Sequence, residues 1–152
     1  MKTTKEILEG LKQSIDEAIE TLPVEKQEEG RFVPEIGDYY ECINSLGDVC
    51  KDRWENDTFD HYRLSNNNVF RVGVAQKVID ARKRIESKAF EPDWRNSNQR
   101  KFCVQYGCIS QEFYCDVVYS SQIIGVKHYF KDEETAKSTY DDYAFLISVG
   151  AL

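Results

Sequence analysis

His61 stands in the run Asp60-His61-Tyr62-Arg63, four residues after Asp57, and this grouping comes nearest to an acid–base centre. A general base needs an orienting partner and reach to a substrate proton. Asp57 and Asp60 supply orienting carboxylates, but no nucleophile stands in a recognised setting nearby, so His61 reads as a surface or capping histidine. His128 lies within residues 126–130 and reads as a half-buried strand residue. Glu133 and Glu134 are paired carboxylates only in sequence. Adjacent helix positions point apart, and two acids in a first helical turn suit the helix dipole better than they suit acid–base work. Five cysteines, Cys42, Cys50, Cys103, Cys108 and Cys115, show no C-x-x-C spacing. Cys103, Cys108 and Cys115 read as small reduced core residues. The chain carries no phosphate-binding loop, dinucleotide glycine fingerprint, H-E-x-x-H or nucleophile elbow. The expectation is a protein with no enzymatic activity, no cofactor and no metal.

Binding chemistry has more material. Trp54 with Asp57, and Trp94 with Arg95, place an indole among polar groups, a composition that anchors protein or nucleic-acid partners. The competing reading is that both indoles cover small cores while their neighbours form turns. Arg82, Lys83 and Arg84, followed by Arg100 and Lys101, are the candidate nucleic-acid patch, against the reading of a solvated helix face and loop. The net charge of -7 and the pI near 4.9 oppose general binding to phosphate backbones, which needs a clustered basic face.

These residues must be positioned by elements that the sequence also outlines. The chain has 152 residues, 41% hydrophobic and 12% aromatic, enough for a packed core. Leu8, Leu11, Ile15, Ala18 and Leu22 alternate steps of three and four, which predicts an amphipathic, heptad-bearing helix over residues 1–23, stopped by Pro23. That stripe packs on the protein's own core or on a second copy, and the second reading gives the expected homo-oligomer through self-association. Residues 24–31 are charge-rich and read as a linker. A first unit, 32–90, is expected to hold a hairpin of residues 39–43 and 48–53 turning at 44–47, an irregular loop over 54–64, a short strand at 69–71 and a helix over 74–88. A second unit, 91–152, is expected to hold strands at 101–106 and 113–119 and a further strand at 123–124 or 126–130. Asp132 then caps a helix that runs toward Ile147. The fold class is α+β: an amphipathic helix, then two small antiparallel-sheet-plus-helix units. No leader-like apolar segment and no run of membrane-spanning length is present, so a cytoplasmic protein without membrane contact is expected.

Gly37-Asp38-Tyr39-Tyr40-Glu41-Cys42-Ile43, Gly47-Asp48-Val49, residues 54–57, Asn68-Val69-Phe70-Arg71, Pro92-Asp93-Trp94 and residues 129–136 together form a pattern. It resembles small proteins of unknown function encoded by phages and prophages, especially those of Gram-positive bacteria. The resemblance spans roughly residues 34–143. It departs from the pattern after Phe70, where Val72-Gly73-Val74-Ala75 replaces an acidic helix start. The resemblance implies a phage or mobile-element origin and transfers no catalytic residue. With the acidic charge and small size, it leads to an expected accessory protein that binds a host protein, one handling nucleic acid in a defence system, and inhibits it in the host cytoplasm. The alternatives are a nucleic-acid-binding accessory protein and a virion or assembly component.

Overall fold

A computed structural model describes residues 30–120, 122–123 and 126–152. The predicted N-terminal helix, with Leu8, Leu11, Ile15, Ala18 and Leu22, lies outside the described residues. The expected fold class is therefore corrected: what is present is an α+β arrangement of two two-stranded antiparallel sheets and four helices among the described residues.

The first sheet is the hairpin β1 (Tyr39–Ile43) and β2 (Val49–Arg53), with Cys42 opposite Cys50. Its turn is built by local chemistry. The Asn44 side-chain oxygen accepts from the backbone N–H groups of Leu46 and Asp48, both at 2.9 Å. Gly47 takes φ +86, a left-handed geometry that favours glycine. The far edge of β1 is closed by the Asn68-Val69-Phe70 segment. Asn68 uses its amide like a strand backbone, accepting from Ile43 N–H at 2.8 Å and donating to Ile43 C=O at 2.7 Å. Phe70 then exchanges two backbone bonds with Glu41, each 2.9 Å. The predicted strand at 69–71 reduces to this single bridge at Phe70.

Residues read as an irregular loop fold as helix α1 (Thr58–Ser65). Its start is a capping box: the Asp57 carboxylate accepts from Asp60 N–H, and the Asp60 carboxylate accepts from Asp57 N–H. Helix α2 (Ala75–Lys88) lacks a side-chain cap of its own. The missing carboxylate comes from β1, where buried Glu41 accepts from Ala75 N–H at 3.1 Å. An acid at a helix N-terminus satisfies an orphan donor and complements the dipole. This explains how the helix starts without the acidic residues that the resemblance leads one to expect.

The second sheet pairs β3 (Lys101–Gly107) with β4 (Glu112–Val118). The predicted strand at 126–130 survives as two bridging residues, Tyr129 to Phe90 and Phe130 to Phe102. The single helix expected after Asp132 is two, α3 (Glu133–Lys137) and α4 (Tyr140–Ser148). They break at buried Thr139, whose hydroxyl donates to the Ala136 carbonyl at 2.7 Å. Asp132 does cap α3, accepting from Thr135 N–H at 2.7 Å.

The two expected sheet-and-helix units do not keep separate cores. One cluster joins Phe70, Val74, Val78 and Ile85 to Phe130, Ala136 and Leu146, with α2 packed against α4. A smaller cluster of Tyr40, Cys42, Trp54 and Val69 sits beneath the first hairpin. Apolar area is removed from water most effectively when the apolar stripe of α2 is covered on both sides.

The cysteines are also redistributed. Cys42 and Cys50 are disulfide-bonded across the hairpin, with Cα atoms 5.2 Å apart. Of the three read as reduced core residues, Cys103 is buried, Cys115 half-buried and Cys108 exposed. Burial raises the Cys103 thiol, and lifts that of Cys115 to about 11, so both are weak nucleophiles near neutrality. Alkylation of the native protein is expected to label Cys108 first, with Cys42 and Cys50 labelled only after reduction. Reduction should cost about 2–3 kcal/mol of stability, the value of closing so short a loop. Peptide mass mapping before and after reduction checks the first point, and urea unfolding the second. Rapid labelling of Cys50 without reductant would overturn the pairing.

Candidate functional site

Trp54 is buried, packed edge-on to Tyr40 at 5.9 Å and to His61 at 5.7 Å between ring centroids. It is a core residue of the first hairpin. Asp57 is exposed, and its carboxylate is engaged as the cap of α1. Trp94 is half-buried and lies edge-on to Tyr129 at 5.0 Å. Arg95 is exposed on the adjoining turn, its N–H donating to the Asp93 carboxylate at 3.0 Å. Trp54 and Trp94 thus pack against different rings, Trp54 on Tyr40 and His61 and Trp94 on Tyr129.

The basic residues read as a nucleic-acid patch are mostly committed elsewhere. Lys101 is 0% exposed. Its ammonium donates to the carbonyls of Asn96 at 3.1 Å, Gln99 at 2.9 Å and Tyr119 at 2.5 Å, and lies 5.3 Å from the Trp94 ring centroid. Arg82 donates to the Ala151 carbonyl at 2.8 Å, and Arg84 makes two hydrogen bonds to Asp142 at 3.0 and 2.6 Å. Lys83 and Arg100 are exposed. The arginines tie α2 to α4 and the C-terminus, and Lys101 ties the 93–100 turn to the end of β4.

Sequence reasoning passed over the surface of α1. Its inward side carries Asp60 and half-buried Leu64. Its outward side shows Phe59, 69% exposed, and Tyr62, 66% exposed, one helical turn apart. Beside them the Arg63 guanidinium lies 5.7 Å from the Phe59 ring centroid. One nitrogen of Arg63 donates both to the Tyr40 hydroxyl at 2.5 Å and to Asp52 at 2.6 Å. The Tyr40 hydroxyl donates in turn to buried Asp60 at 2.7 Å, and Asp60 also accepts from Glu55 N–H at 2.8 Å.

The electrostatics of this chain follow from its geometry. Burial raises the Asp60 carboxyl, but hydrogen bonds from Tyr40 and from the backbone of residues 55–57 outweigh it and hold the group below its ordinary value. Asp52 is lowered chiefly by the Arg63 hydrogen bond. The Tyr40 phenol is pushed up to about 12 by burial and by Asp60, against the opposing pull of Arg63. The network is thus ionised at both carboxylates, with a neutral phenol between them, and it holds Arg63 in one orientation at the protein surface. The i, i+3 spacing of Phe59 and Tyr62 would have pointed to this face had the Asp57-x-x-Asp60 capping box been read as a helix start.

A cleft of about 660 Å³ lies between α2, α4 and the second sheet. Its lining includes Ile85, Val104, Phe113, His128 and Tyr143. His128 Nδ1 sits 3.2 Å from the Tyr143 hydroxyl. Burial lowers His128 and pushes Tyr143 up to about 12, so the pair is a neutral imidazole against a neutral phenol near pH 7. Such a pair can exchange hydrogen bonds but carries no charge with which to fix an ionic ligand. Among the described residues, no group of three or more His, Cys, Asp or Glu is placed to hold a metal ion. Among them also, no helix is long and apolar enough to cross a membrane.

Compared with protein-family models, with curated proteins and with solved structures, the chain matches none.

Proposed function

We propose that the chain is a non-enzymatic accessory protein of a phage or mobile element that binds a bacterial host protein, one handling nucleic acid in a defence system, and inhibits it. The observation that supports protein binding most directly is the α1 surface: Phe59 and Tyr62 exposed on one helical face beside an arginine clamped by Asp52 and Tyr40. Aromatic residues and arginine are the side chains that most often dominate protein interfaces, and a pre-oriented arginine loses less freedom on binding. The phage or mobile-element origin rests on the sequence resemblance. The commitment of Lys101, Arg82 and Arg84 to contacts within the fold leaves the nucleic-acid reading with less to stand on.

The test places a photo-crosslinking amino acid at position 59 or 62 and irradiates cells of a Gram-positive host producing the protein. One discrete host protein, joined from both positions and not from the exposed position 77 of α2, is the expected result. No position-dependent adduct would end the reading. Self-association through Leu8, Leu11, Ile15, Ala18 and Leu22 belongs to the same proposal. Light scattering should then show an oligomer for the full chain and a monomer for a chain lacking residues 1–24, and a monomer in both cases refutes it.

A further inference from the structure

The segment that contains α1 and leads into it is strongly acidic. Between Glu35 and Tyr62 stand eight carboxylates, Glu35, Asp38, Glu41, Asp48, Asp52, Glu55, Asp57 and Asp60, against two cations, Lys51 and Arg53. Glu41 and Asp60 are buried in the structural roles described above. Asp52 is neutralised by Arg63. Asp48 is exposed next to the β1–β2 turn, and Glu35, Asp38, Glu55 and Asp57 are exposed as well.

The last four are held together by the fold. Glu35 N–H donates to the Asp38 carboxylate at 2.9 Å, and Asp38 C=O accepts from Trp54 N–H at 2.8 Å. Gly37 N–H donates to Trp54 C=O at 2.9 Å. The 35–38 turn is thereby fixed beside residues 53–57, which lead directly into α1. The same turn exposes Ile36, and the adjoining strand exposes Tyr39. Phe59 and Tyr62 on α1 therefore follow directly in the chain on the exposed Glu55 and Asp57, beside the 35–38 turn.

We infer that this face docks a basic protein surface, one in which lysine and arginine surround an apolar pocket. The inference rests on the protein-binding reading above and adds the chemistry of the partner. Phe59 and Tyr62 supply the desolvated anchors. Glu55 and Asp57 meet partner cations at the rim, where charge complementarity governs encounter rate and rejection of acidic surfaces more than it governs net affinity. Arg63 brings no net charge to the patch, because Asp52 answers it.

The experiment uses the full chain and two synthetic amphipathic peptides, one of leucine with lysine and arginine, the other with every cation replaced by glutamate. Binding is read by fluorescence anisotropy and by amide chemical shifts of the labelled protein. The cationic peptide should shift residues of α1 and the 35–39 and 52–57 segments. Phe59→Ala and Tyr62→Ala should each lower its affinity about tenfold. Raising salt from about 50 to about 200 mM should weaken it several-fold. Glu55→Gln combined with Asp57→Asn, the latter still able to cap α1, should remove most of that salt dependence. Equal binding of the glutamate peptide overturns the inference. So does cationic binding that ignores Phe59→Ala and Tyr62→Ala. If the cationic peptide fails while crosslinking from positions 59 and 62 still yields one host protein, the protein-binding reading stands and the basic-partner inference falls. If both fail, the two fall together.

Discussion

Lys101→Met is expected to destabilise the protein by about 3 kcal/mol, seen as a lower urea midpoint with an unchanged slope. Methionine matches the length of the lysine stem, so the cavity contribution is small and the loss is electrostatic. The ammonium is fully buried and satisfied by three backbone carbonyls and the Trp94 ring. Removing it leaves the carbonyls of Asn96, Gln99 and Tyr119 without their donor, so the turn over the second sheet loses its anchor. Arginine is not expected to rescue, because a planar fork cannot replace a compact ammonium among three carbonyls. Lys83→Met and Arg100→Met, at exposed positions, should fall within about 0.5 kcal/mol of the parent. A Lys101 variant that unfolds like those two would refute the structural role.

Asp60→Ala should cost a similar amount, about 3 kcal/mol, because it removes three things at once. The buried Tyr40 hydroxyl loses its acceptor, Glu55 N–H loses its carboxylate, and α1 loses the reciprocal half of its capping box. The pH dependence follows from the direction of the shift. Asp60 is held below its ordinary value in the folded state. Its contribution is therefore complete above the unfolded carboxyl value near 4, and drains away as pH falls through the lower folded value. Asp52 is shifted in the same direction and adds to the effect, weakly because it is half-exposed. The parent should lose stability from about pH 4 downward, and Asp60→Ala should lose less over the same range. Urea midpoints at neutral and acid pH compare the two. Parallel acid sensitivity in parent and variant would show that Asp60 is not the group responsible.

Burial separates a structural role from a binding one at two of the candidate residues. Lys101 lay in the patch read for nucleic acid, and the fold spends it on three carbonyls. Trp54 lay in a set read for partner binding, and the fold spends it on a small core with Tyr40. In each case the residue type was right for binding, and only its burial assigned it to stability. The reverse holds for Phe59 and Tyr62. They fall in the stretch read as an irregular loop, and helix α1 turns them outward.

The amino-acid sequence by itself determined the local features whose partners are near in the chain. The Asn44 to Gly47 turn, the β1–β2 and β3–β4 hairpins, the α2 stripe of Val78 and Ile85, and the Asp132 cap of α3 all follow from periodicity, turn chemistry and capping. Tertiary structure alone decided the features whose partners are distant. Glu41 starts α2 from 34 residues away, and the Asn68 amide completes β1 from 25 residues away. The Arg63, Tyr40 and Asp60 chain forms only when α1 lies across the hairpin, and the merging of two expected units into one core depends on α2 meeting α4. The physical reason is one of range. Hydrogen bonds within a turn or helix are set by backbone geometry over a few residues, whereas a buried polar group must find its partner wherever packing brings one. Which aromatic is left facing water is settled last, by what the core has already used.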